Sequence, residues 1–264
     1  MPVHPSNSDA PVVALKRVGK TFASGVVALE RLDLDVRPGE FVSLLGPSGC
    51  GKSTALRIVA GLSEPTSGTV EWLEAETASA AGPRRIGFVF QEPTLMPWAT
   101  VAANVRLPLK LAGLESSAQA RVDAALARVG LSGFAQSYPR ELSGGMKMRT
   151  SIARALVTEP KLLLMDEPFA ALDEITRFKL NDDLLSLWRL LGKTVVFVTH
   201  SVFESVFLSN RIVVMTPRPG RVFDEIPIDA PYPREESFRT SPEYAGFCRR
   251  VSQALAAAMA GGRA

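Results

Sequence analysis

Residues Gly46-Pro47-Ser48-Gly49-Cys50-Gly51-Lys52-Ser53 constrain this chain more than any other stretch. They follow the apolar run Phe41–Leu45 and lead into a helical run, Thr54–Leu62. Glycines at the first, fourth and sixth positions let the backbone turn tightly with its amides facing inward. The helix that follows adds positive potential at its N-terminus, so the turn is built to hold an anion. The spacing G-x-x-x-x-G-K-[ST] between a strand and a helix is the pattern that cradles phosphates. On that reading Lys52 reaches the β- and γ-phosphates of a nucleotide and the Ser53 hydroxyl ligates Mg²⁺.

Further strands are expected at Val12–Leu15, Ile86–Phe90, Leu162–Met165, Val195–Thr199 and Ile212–Met215, all short apolar runs. Several are too continuously apolar to have a wet face, which suits strands covered on both sides. Helical patterns alternate with them. One begins after Asp173, with Ile175, Phe178, Leu184, Leu185, Trp188 and Leu191 on one face, and ends at Gly192. The alternation predicts an α/β fold with a largely parallel sheet. From about Glu92 to Pro160 no strand is expected, only helical patterns such as Val122, Leu126 and Val129. That stretch reads as a helical subdomain inserted between two strands.

Two further sites carry chemistry. Leu162–Met165 ends in Asp166-Glu167, so an apolar strand delivers two carboxylates at its C-terminal end, where a nucleotide-binding sheet completes its metal site. Asp166 is expected to hold the metal, and Glu167 to orient or deprotonate an attacking water. Leu142-Ser143-Gly144-Gly145 precedes the helical run Met146–Leu156 and reads as a second anion-binding helix start.

Length and charge exclude several classes. A chain of 264 residues is one large domain or two small ones, and a net charge of +3 is too small to argue for nucleic acid. Cys50 and Cys248 cannot form a framework of bridges, which fits a reducing compartment. The opening residues MPVHPSNSDAP have no apolar h-region, and no stretch reaches the ~18 apolar residues of a membrane span. A secreted, disulfide-stapled or integral membrane protein is not expected.

From about Val12 to Val222 the chain resembles the nucleotide-binding subunits of ABC transporters. Gly46–Ser53 is similar to their Walker A motif, Leu162–Glu167 to Walker B and Leu142–Gly145 to the family signature. The resemblance implies ATP and Mg²⁺ as ligands. It also implies a P-loop (RecA-like) nucleotide-binding sheet with an antiparallel β edge region and an inserted α-helical subdomain. Residues 11–91 and 160–225 would form the core and 92–159 the helical subdomain. Residues 1–10 would be a flexible leader, and 226–264 a Pro-rich extension ending in a helix.

Gly46, Pro47, Ser48, Gly49, Cys50, Gly51, Lys52, Ser53 and Thr54 would line the nucleotide phosphates, with Cys50 a small filler. Phe22 resembles the aromatic that stacks on adenine. Gln91 resembles the Q-loop glutamine that contacts Mg²⁺ beside Ser53 and Asp166, and Asp173 lies in a segment like the D-loop. His200, after Val195–Thr199, resembles the switch histidine that contacts the γ-phosphate. Ser143, Gly144 and Gly145 would reach across to the ATP of a second cassette. Family members commonly carry Gln at the positions of Met146 and Met148, and Met146 is similar to importers of the nitrate, sulfonate and taurine group.

The resemblance therefore implies the ATPase of a bacterial importer at the cytoplasmic face of the membrane. Its partners would be a second cassette, separate permease chains and, through them, a periplasmic or surface solute-binding protein. An exporter or lipid-transport cassette is the alternative, and a soluble ABC ATPase acting on nucleic acid is a more distant one. A single Walker A and the lack of a long coiled coil count against the last.

Overall fold

The computed structural model describes residues 10–72 and 86–261. Apart from Ala10, the leader lies outside the described residues. By internal packing the chain divides into two units, Met1–Pro83 with Gly192–Ala264, and Arg84–Leu191.

In chain order the first unit begins with β1 (Val13–Thr21), β2 (Val27–Val36), β3 (Phe41–Leu45), α1 (Lys52–Val59) and β4 (Ser67–Trp72). The second unit holds β5 (Ile86–Val89), α2 (Val101–Leu111), α3 (Ala118–Arg128), α4 (Gly144–Leu156), β6 (Leu162–Asp166) and α5 (Glu174–Leu191). The chain then returns to the first unit with β7 (Thr194–Thr199), α6 (Val202–Leu208), β8 (Arg211–Met215), β9 (Val222–Pro227), α7 (Glu236–Arg239) and α8 (Pro242–Gly261).

The first unit contains two sets of strands. β2, β1 and β4 form an antiparallel sheet with β1 in the middle. β3 lies parallel to both β7 and β8, and β9 closes the far side antiparallel to β8. All five residues of β3 and all six of β7 are buried, as continuous apolar runs require. The β8–β9 side is pinned by Arg211, whose guanidinium grips Glu40 through two bonds of 2.7 and 3.0 Å and also meets Glu225. Burial alone would lower its pKa, but the two carboxylates raise it.

The segment after Met215 is more regular than its six prolines suggest, because β9 pairs with β8 over Val222–Pro227. Beyond it, Arg234 turns the chain back. The residue is 3% exposed, and its guanidinium donates to the carbonyls of Val206, Phe207 and Ser209 at the end of α6, and to those of Ile228 and Ala230. A cation suits a helix C-terminus, and the Tyr232 ring lies 4.2 Å from it.

In the second unit β5 and β6 pair in parallel, and between Glu92 and Pro160 the described elements are helical. Val101, Val105, Leu109, Val122 and Leu126 bring α2 and α3 onto one core with Ala153 of α4. Burying each of the larger side chains contributes roughly 1.5–3 kcal/mol. The apolar face of α5 is narrower than its sequence suggests. Leu184, Leu185 and Trp188 are buried, but Ile175 is 83% exposed and Phe178 40%.

Candidate nucleotide-binding site

The first unit carries the glycine-rich turn between β3 and α1. Gly46 is buried at the end of β3, and Ser48 and Gly49 are exposed. Gly51 caps α1 in the left-handed region at φ 110°, and a Cβ there would lie 2.6 Å from Leu29 Cδ2 and 2.7 Å from the Ala28 carbonyl. Only glycine fits that combination of angle and space. Lys52 opens the helix and is only 3% exposed, its Nζ donating to the carbonyls of Gly46 (2.8 Å) and Pro47 (3.0 Å). The ammonium is thus folded back over the loop instead of extending into solvent. Ser53 and Thr54 follow it in the first turn, both half-buried, and Cys50 is buried and not in a disulfide.

His200 is exposed directly after the buried strand β7. The backbone around it is set by Thr199, whose hydroxyl donates to Glu204 (2.5 Å) and accepts from the Ser201 amide (3.0 Å). Phe22, 44% exposed, stands at the tip of the β1–β2 hairpin with Lys20 Nζ 5.7 Å from its ring centre. An open aromatic face can take a planar base.

The second unit carries the acidic strand end. Asp166 is the last residue of β6 and 7% exposed. Glu167 is half-buried and holds φ 46°, the left-handed region that a glutamate rarely adopts. Such backbone strain concentrates where a side chain must be aimed. Gln91 is exposed two residues past the end of β5. Ser143 is exposed and caps α4, its hydroxyl accepting from the Met146 amide at 3.3 Å. Gly144 is also exposed, whereas Gly145 is buried. Asp173 caps α5 by accepting from the Thr176 amide at 2.9 Å, and that bond lowers its pKa.

The profile of the ABC transporter family matches residues 29–170, more than half of the chain. The chain belongs to the ABC transporter family. It is similar to the aliphatic sulfonates import ATP-binding protein of Bacillus subtilis, 45% identical over 84% of this chain and 85% of that one. The nitrate import ATP-binding protein of Synechocystis sp. is 42% identical over 92% of this chain and 94% of its own length. Among solved structures, a dimeric ATP-binding cassette in a post-hydrolysis state, bound to ADP and Pi, is 36% identical. It covers 83% of this chain and 99% of its own, with a TM-score of 0.71. The fold class expected from the sequence is therefore the observed one, and the cassette is an ATPase of the ABC type.

Two departures from the family pattern now have a structural account. Met148 is 2% exposed and Met146 packs half-buried against the α2–α3–α4 core, so both positions fill space inside the cassette. Two positioning residues were missed in the sequence. Arg154 of α4 donates to the carbonyls of Pro93 and Thr94 at 2.8 Å, holding the chain just after Gln91. Asn104 of α2, fully buried, accepts from the Met96 amide at 2.7 Å, and its Nδ2 lies 3.0–3.2 Å from the carbonyls of Met96, Ala99 and Thr100.

Asn104→Ala is expected to leave that buried amide and those carbonyls without their partner and to cost about 2–3 kcal/mol of stability. Chemical denaturation checks this, and an unchanged midpoint would show that the loop finds other partners.

Proposed function

We propose that this cassette is the ATP-hydrolysing subunit of a bacterial ABC importer. It works as a pair of cassettes at the cytoplasmic face of the membrane and drives uptake through separate permease chains. The solute is of the nitrate, sulfonate or taurine type, or a vitamin precursor, delivered by a solute-binding protein. The observation that carries this reading is near full-length similarity to sulfonate and nitrate import ATP-binding proteins. No helix among the described residues is long and apolar enough to cross a membrane, so the energy has to pass through a protein interface.

On this reading the loop from Gly46 to Thr54 binds the phosphates and Phe22 stacks on adenine. Glu167 takes the proton of the attacking water, and His200 and Gln91 meet the γ-phosphate region. Ser143, Gly144, Gly145 and Asp173 serve the interface between cassettes. Residues 92–159 act as the helical subdomain. Ser53, Gln91 and Asp166 offer only oxygen donors, which suits Mg²⁺ held jointly with substrate phosphates. When bound, Mg²⁺ neutralises charge on the phosphates; the residues themselves orient the nucleotide and move the proton.

The permease is proposed to dock beside Gln91. Trp98 is 77% exposed, while Asn104 fixes the backbone on either side of it, at Met96 and Ala99. In the same unit Phe88, Phe90, Leu107 and Leu111 line a groove of about 310 Å³. A rigidly mounted exposed tryptophan is the kind of anchor that carries interface energy. Trp98→Ala is expected to leave melting and ATP binding unchanged while weakening co-purification with the cognate permease by about tenfold or more. Unchanged assembly and uptake would overturn the docking assignment. For the importer reading itself, deleting the gene should abolish uptake of one such anion or precursor, and unchanged uptake across the panel would count against it.

A further inference from the structure

The segment Thr216-Pro217-Arg218-Pro219-Gly220-Arg221, between β8 and β9, lies outside the motifs assigned above, yet it is built onto the phosphate loop. Arg218 Nε donates to the Gly49 carbonyl at 3.1 Å, and its guanidinium lies 3.1 Å from where a Gly49 Cβ would stand. Gly220 sits so close to the loop that a Cβ there would be 2.1 Å from the Cys50 carbonyl. Its own amide donates to Ala28 (2.9 Å), and the Glu30 amide donates to its carbonyl (3.1 Å). The same Ala28–Leu29 stretch fills the space beside Gly51. The strap is held rigid from within, because the Thr216 hydroxyl donates to the Pro219 carbonyl and accepts from the Arg221 amide, both at 3.0 Å. Arg221 then pairs with Glu30.

We infer that this strap is a splint for the phosphate loop and that Arg218 is a positioning residue for ATP binding. In a planar trans peptide the carbonyl and the following amide point in opposite directions. Holding the Gly49 carbonyl outward on Arg218 therefore turns the Cys50 amide inward across the loop, where it meets the Pro47 carbonyl at 3.3 Å. Gly49 at φ 74° has wide backbone freedom, so without the clamp this peptide would sample other orientations in the free protein. Setting it in advance removes an ordering cost from nucleotide binding. The guanidinium also adds a permanent positive charge beside an anion site. The effect is on affinity, since the loop is equally ordered once ATP fills it.

This rests on reading Gly46–Ser53 as the ATP loop, and the test separates the two. ATP affinity, KM and kcat are measured on the full chain for Arg218→Met, Arg218→Lys, Gly220→Ala and Lys52→Ala, with melting curves for each. Arg218→Met should raise Kd and KM for ATP about tenfold, with kcat at saturation within about twofold and melting unchanged, because Arg218 is exposed. Arg218→Lys, which keeps a charged donor, should recover most of the loss. Gly220→Ala should raise KM in the same way by pushing the strap off Cys50. If Lys52→Ala abolishes binding while Arg218→Met and Gly220→Ala bind ATP like the wild type, the splint is wrong and the loop assignment stands. If Lys52→Ala also binds normally, the loop assignment fails first. A loss in Arg218→Met that Lys does not repair, or that falls on kcat, overturns the positioning role.

Discussion

Lys52→Ala should lower ATP affinity by about 100-fold or more. The buried Lys52 ammonium is tied to the carbonyls of Gly46 and Pro47, which holds its charge over the loop before a nucleotide arrives. Each charge-assisted bond to a phosphate is worth roughly 1.5–3 kcal/mol, and two such contacts correspond to that loss of affinity. Alanine keeps the helix start, since it is the best helix former. The loss should therefore appear in calorimetric titration with ATP while the variant still melts cooperatively. Affinity within about twofold of wild type would remove the loop from the nucleotide site.

How much of this was legible in the sequence depended on where each residue's partner lies. β3, β6, β7 and β8 announce themselves because a strand covered on both faces must be apolar throughout. β2, β4 and β9 were not proposed. β4 has no fully buried residue, and β9 buries only Ile226 among its six, so neither shows an apolar run. Their ladders make them strands: β4 pairs with β1, some fifty residues earlier, and β9 pairs with its neighbour β8 across the Pro-rich connection 216–221. β2 does alternate, with Leu32, Leu34 and Val36 buried and Asp33 and Asp35 exposed, and a stricter count of period two would have found it.

The site divides in the same way. Gly46–Ser53, Asp166-Glu167 and Ser143–Gly145 are contiguous and carry their geometry in their order. Arg154, Asn104, Arg218 and Arg234 act on backbone carbonyls. Every residue has a carbonyl, so such a partner leaves no mark in the sequence. The one available hint was a long polar side chain in an apolar stretch, as Arg154 stands between Ala153 and Ala155. Ile175 and Phe178 show the converse, apolar residues on a helix face that are nevertheless exposed in the cassette.

The second large effect expected is on chemistry. Glu167→Gln should bind ATP normally and hydrolyse it at least ~100-fold more slowly, because glutamine keeps the shape and a hydrogen bond but accepts no proton. The substitution leaves the left-handed backbone at φ 46° to a side chain of equal size, so the fold is not disturbed. Binding and turnover thus separate, which Lys52→Ala cannot achieve. With hydrolysis blocked, ATP should accumulate in the closed state, and the variant should run as a dimer on gel filtration in saturating Mg-ATP and as a monomer without nucleotide. That shift needs the exposed Ser143 and Gly144 at the start of α4 to meet the ATP of a second copy. Wild-type turnover in Glu167→Gln would mean that another group takes the proton. A slow variant that stays monomeric in Mg-ATP would keep Glu167 as the base and remove Ser143–Gly145 from the nucleotide site.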